Sequence, residues 1–168
     1  MLEYLKIVLL CVTSAVCYGI VHDQFTARIC IEYFTVFHPP VFGTQSPTLL
    51  AIGWGVIATW WVGAFLGIAL AVAARAGSRP KLTAVALLRP IVKLLLAMAA
   101  FATLLGFLGF VLAENKIVFP PNWVVDSLPA SAQSRFMADR WAHNASYLSG
   151  FLGGIVVCAL VFRKRSHP

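Results

Sequence analysis

The sequence predicts an all-α membrane protein, a bundle of four transmembrane helices, and three observations carry that prediction. Four apolar stretches, 4–21, 48–74, 91–113 and 145–162, interrupt the chain. Each is close to or above the roughly 20 residues of helix needed to cross a hydrocarbon core about 30 Å thick. The composition agrees: 60% of the 168 residues are hydrophobic and 11% charged, with a mean hydropathy of +0.85. Finally, the charges alternate between the connecting segments. Nine of the 13 basic residues (Lys6, Arg75, Arg79, Lys81, Arg89, Lys93, Arg163, Lys164 and Arg165) fall on one side of a four-fold crossing. Five of the six acids, Asp23, Glu32, Glu114, Asp126 and Asp139, fall on the other. By the positive-inside rule, both termini and the loop 75–90 are cytoplasmic, and the loops 22–47 and 114–144 face outward. The net charge of +7 therefore orients the chain in a lipid bilayer and does not point to nucleic acid. The length holds one membrane domain, residues 1–168, and no second one.

The first span opens with Lys6 and has a short apolar core, so a signal peptide competes with a transmembrane helix. Cys17-Tyr18-Gly19 makes a poor cleavage site, and removal would leave three spans with one basic cluster misplaced. A retained helix is the better reading. The second span is the longest. Its Gly63 and Gly67 form a GxxxG pair of the kind that lets helices approach closely in lipid. Gly106 and Gly109 mark the third span, and Gly150, Gly153 and Gly154 the fourth. Packing within the bundle is favoured over a dimer face for these, and packing is also expected of Trp60 and Trp61. On the cytoplasmic side, Pro80 suits a first helical turn. The segment KLTAVALLRP reads as a short basic surface helix that Pro90 redirects.

The two outer loops carry different signals. Residues 26–33 alternate, with Thr26, Arg28, Cys30 and Glu32 on one side, which is a strand period. A helix pairing Arg28 with Glu32 at i, i+4 competes. Residues 116–119 and 123–126 are further candidate strands, broken by Pro120-Pro121. Together the loops predict a small, partly β extracytoplasmic cap. A helix capped near Ser131 then runs into the fourth span. Cys11, Cys17 and Cys158 lie in spans, leaving Cys30 alone in a loop, so no disulfide framework is present. The sequon Asn144-Ala145-Ser146 sits at the membrane boundary.

Topology gathers one set of polar residues at the outer boundary. His22 and Asp23 end the first span, Glu114 ends the third, and Asp139 and His143 precede the fourth, with Tyr147 one turn on. Glu32 and His38 lie on the loop above. Imidazole and carboxylate together suit zinc, iron or copper, which makes His22, Asp23, Glu114, Asp139 and His143 candidate metal ligands. A variant places His22 and His143 as axial ligands of a haem. Proton transfer is a further option, although the span centres carry no charge, which argues against a transport path. The competing structural reading has Arg135–Asp139 and Arg28–Glu32 as ion pairs holding the cap in place.

The segments YGIVHDQ, ICIEYFTVFHPPVFG and GWGVIATWWVG, with DRWAHNASYL at 139–148, resemble a set of small, uncharacterised bacterial four-span membrane proteins. The resemblance covers about half the chain. It implies a bacterial inner membrane and no particular activity. Two functional expectations follow. One is a non-enzymatic protein that binds a small ligand or a membrane-protein partner, including a second copy of itself, at its outer face. The other is a metal- or haem-binding protein centred on the polar cluster.

Overall fold

In the computed structural model, which describes residues 1–165, six helices and no strands are found among the described residues. They are α1 (Leu2–Ile29), α2 (Ile31–Thr35), α3 (Pro47–Arg75), α4 (Ala84–Glu114), α5 (Asn122–Ser127) and α6 (Ala130–Lys164). Helices α1, α3, α4 and α6 are each long and apolar enough to cross a membrane. At 1.5 Å per residue the 28 residues of α1 reach about 42 Å, and the others are longer, so all four exceed the hydrocarbon core.

The bundle is built as two close pairs. Helix α1 packs along α3, and α4 along α6; the pairs meet more lightly, through α3 against α6 and α1 against α4. Glycines set the closeness of the pairs. A Cβ on Gly55 would lie 2.5 Å from the backbone nitrogen of Ile20, and one on Gly63 2.8 Å from the Cys11 carbonyl oxygen. Gly67 faces Val8 in the same way, so the GxxxG pair is spent on α1 within the chain. Across the other pair, Gly106 and Gly109 accept Ala142 and Trp141 of α6.

At the basic end, Ile7, Leu70, Ala74, Leu87 and Ile91 form an apolar core. Arg165 is 3% exposed there and donates to the carbonyls of Ala73, Pro80 and Ala76 at 2.6, 2.7 and 2.8 Å. These are carbonyls that the end of α3 and the turn after it leave unsatisfied. Glu3 closes the start of α4, accepting from the Ala84 amide at 3.2 Å, beside the side-chain cap supplied by Thr83.

Several expectations need correction. The outer segments are helical, not β. Residues 26–29 simply continue α1, and after a break at Cys30 (φ −144°) the chain re-enters a helix at Ile31. The alternation over 26–33 loses because the buried residues are Thr26 and Ala27 on the last turns of α1, Cys30 at the break and Phe34 on α2, which do not recur every second position. Residues 122–127 form α5, whose Val124 packs with Cys30, Leu128 and Phe136. Neither expected ion pair forms. Arg28 instead donates to Gln24 and Thr48, and the Asp139 carboxylate oxygens have no partner. Pro90 lies inside α4, which starts at Ala84 and runs unbroken from the predicted surface helix into the span. Proline removes one backbone donor at that point, and the long apolar helix on either side outweighs the loss. Helix α6 begins at Ala130 with no side-chain cap. Trp60 and Trp61, at 52% and 54% exposure, face outward and do not pack.

Candidate metal centre

Because α1 continues past the predicted end of its span, Tyr18, His22 and Thr26 are spaced by single turns on one helix. Asp23 follows His22 and turns into the bundle, 5% exposed. From the other pair, α6 brings His143, 8% exposed, to the same point. The rings of His22 and His143 meet edge to face at 4.7 Å between centroids. Nε2 of His143 lies 3.3 Å from Oδ1 of Asp23. One ligand atom from each of His22, Asp23 and His143 can be chosen so that all three lie within 4.8 Å of one another.

The protons are placed by the surroundings. Nδ1 of His143 lies 2.8 Å from the carbonyl oxygen of Asp139, one turn earlier. A carbonyl only accepts, so Nδ1 carries the hydrogen, and Nε2 is the atom turned to the Asp23 carboxylate. Two electron-rich atoms facing each other inside a protein need a cation between them: a proton on Nε2 or a metal ion. Nε2 of His22 is buried beside them with no hydrogen-bond partner. A histidine whose second nitrogen is tied to a backbone carbonyl is the usual arrangement for a metal ligand.

An aromatic wall closes the site. Tyr33 stacks on His143 at 4.6 Å, and Phe34 and Trp54 pack against His38 at 5.6 and 4.5 Å. Nδ1 of His38 is bound to the Tyr33 carbonyl at 2.7 Å. Burial lowers the pKa of His38 from the usual imidazole value, and only in part does the Tyr33 carbonyl offset it. Burial raises that of the Tyr33 hydroxyl and pushes the Cys30 thiol up to about 12. These three groups are therefore neutral near pH 7. Across the helices, the Tyr18 hydroxyl and Ser146 Oγ share a hydrogen bond of 2.8 Å. A cavity of about 140 Å³ starts among Tyr18, His22, Asp23, His38 and His143 and continues between the helices to Leu70 and Cys158.

Of the candidate residues, the structure thus joins His22, Asp23 and His143. Glu114 is exposed at the end of α4 and is outside this group. Asp139 is fully buried, contributes its backbone carbonyl, and leaves both carboxylate oxygens unpartnered. Glu32 accepts from the Cys30 thiol at 3.4 Å, while His38 and Tyr147 line the cavity. The haem variant does not fit: axial ligands sit on opposite faces of a macrocycle, and the His22 and His143 rings touch. Sequence reasoning passed over Tyr18 and Ser146. The i, i+4 spacing from Tyr18 to His22 would have flagged the first, had the helix been extended past residue 21. No family model, curated protein or solved structure matches the chain.

Proposed function

We propose that this protein binds a single transition-metal ion near one end of its bundle through His22, Asp23 and His143. The observation that carries the reading is the convergence of those three ligand atoms within 4.8 Å, with Nε2 of His143 turned toward Asp23. Two imidazoles and a carboxylate suit zinc, copper or iron, and three protein ligands leave a position open for water or another molecule. The buried position and the aromatic wall favour a held ion over a surface site in exchange with solvent. The charge distribution supports cytoplasmic termini, so the site faces the extracytoplasmic side. The resemblance to small bacterial proteins supports an inner-membrane location. A purely accessory role without metal has no comparable geometric support.

Elemental analysis of detergent-purified protein, loaded with zinc, copper or iron and washed, tests the reading. Close to one ion per chain is expected in the wild type, and far less in His22→Ala, Asp23→Asn and His143→Ala. A folded wild type that retains none of the three metals would sink it.

A further inference from the structure

A second opening reaches the same histidine from the side. Between α1 and α4 lies a cleft of about 530 Å³, with Tyr18 and His22 among its lining residues. Both residues also line the central cavity, so the two spaces share them. The outer lips of the cleft are Val21, Phe25 and Phe107, which are 57%, 69% and 67% exposed. They stand on helices long and apolar enough to cross a membrane. Apolar, exposed lips on such helices favour a lipid-soluble molecule over a water-soluble one.

The chemistry of the cleft narrows the occupant. No Asp, Glu, Lys or Arg lines it, so nothing there compensates a phosphate head or an ion. Its volume falls within the roughly 300–1,000 Å³ typical of small-molecule sites. Phe25, Phe107 and Phe110 border it and favour a flat ring, which aromatic side chains contact face or edge on. Of its hydroxyls, those of Thr26 and Thr103 are bound to backbone carbonyls. Tyr18 differs: in its bond with Ser146 either oxygen can be the donor. When Ser146 donates, the Tyr18 proton is free for a carbonyl oxygen.

We propose that this cleft binds a lipid-soluble quinone, its ring beside Tyr18 and His22 and its tail lying out along α4 in the bilayer. The proposal deepens the metal reading, on which it rests only for the ion at the far side of His22. The ring would then sit one imidazole away from the metal position. Binding to the cleft does not itself require the ion.

The test uses the full chain in phosphatidylcholine nanodiscs free of quinone, titrated with a decyl-tailed benzoquinone and followed by tryptophan quenching. Saturable binding is expected in the wild type. Ala99→Phe and Thr103→Phe fill the cleft without replacing a metal ligand, and each should weaken binding at least tenfold. Leu104→Phe, which lies outside the lining, should leave it unchanged. Metal content is measured on the same samples. Lost quinone binding with retained metal supports both readings. Lost quinone binding in protein that never holds metal supports the cleft and overturns the metal site. Quenching that never saturates, or that is equal in all four proteins, overturns the cleft. A photoreactive azido analogue on the unaltered chain gives a check independent of substitution: peptides containing Phe25 or Phe107 should be labelled, and labelling confined to other peptides would overturn the proposal.

Discussion

Nε2 of His143, on α6, stands 3.3 Å from Oδ1 of Asp23, on α1, and the hydrogen on the opposite nitrogen is committed to the Asp139 carbonyl. An imidazole nitrogen and a carboxylate oxygen at this distance need a proton or a metal ion between them, so the two side chains should respond together. With metal bound, Asp23→Asn is expected to weaken affinity by one to two orders of magnitude, as losing a carboxylate ligand removes both charge and a bond. Competition with a chromophoric chelator measures this. Asp139→Asn, which keeps the carbonyl, should change affinity far less.

Tyr18 and Ser146 join the two helix pairs by one hydrogen bond. Interhelical hydrogen bonds in membranes average about 0.6 kcal/mol. Tyr18→Phe combined with Ser146→Ala in a double-mutant cycle should return a coupling of about that size. Thermal unfolding in detergent reads it; a coupling above about 2 kcal/mol would mean the pair belongs to a larger network.

Gly55→Ala should lower stability by about 1–3 kcal/mol, the usual cost of overpacking, because its methyl group would meet the backbone of Ile20 at 2.5 and 2.6 Å. Backbone cannot step aside as a side chain does. Gly43→Ala, where nothing lies within 4 Å, should be close to neutral. Equal effects in the two variants would refute the close-packing account of α1 and α3.

His38 gives the pH dependence. Its folded-state pKa lies below the ordinary 6.5, so below that pH the unfolded chain binds the extra proton first. Stability is therefore fully present above about pH 6.5 and falls as the pH drops further. Melting temperatures from pH 7.5 to 5 should show this decline, and His38→Phe should flatten part of it. An unchanged slope in the variant would assign the decline to other groups.

Arg165 holds carbonyls of the α3 end and the following turn with a buried guanidinium. Arg165→Ala is expected to destabilise the basic end by several kcal/mol, since buried acceptors lose their donors. Arg165→Lys should recover little, because an ammonium cannot span diverging acceptors as the planar fork does. Proteolysis of the loop at 76–83 offers a local readout.

The spans were legible because length and apolarity alone decide a helix in lipid. The position of the polar cluster was legible for the same reason: membrane crossing sets the height of His22, Asp23 and His143. What remained hidden was the choice among equals. Glu114 shares that height but ends α4 on its exposed side, and helix rotation cannot be read from a span that is apolar all round. The β reading of 26–33 failed because polar residues there alternate by two while the buried ones recur by three and four. Tertiary burial of Cys30 and Phe34 against α5, α6 and Trp54 decided between the two periods. Tyr18 was missed because the helix was ended too early.

The two close pairs correspond to successive halves of the chain, residues 2–75 and 84–164. Each half can settle locally as a helical hairpin before the other is made. His22 and Asp23 belong to the first hairpin and His143 to the second, so no ligand set exists until the halves have docked. An ion held there would act as a clasp between them. Metal content would then report completed assembly, and two fragments cut between α3 and α4 should recover it only when expressed together.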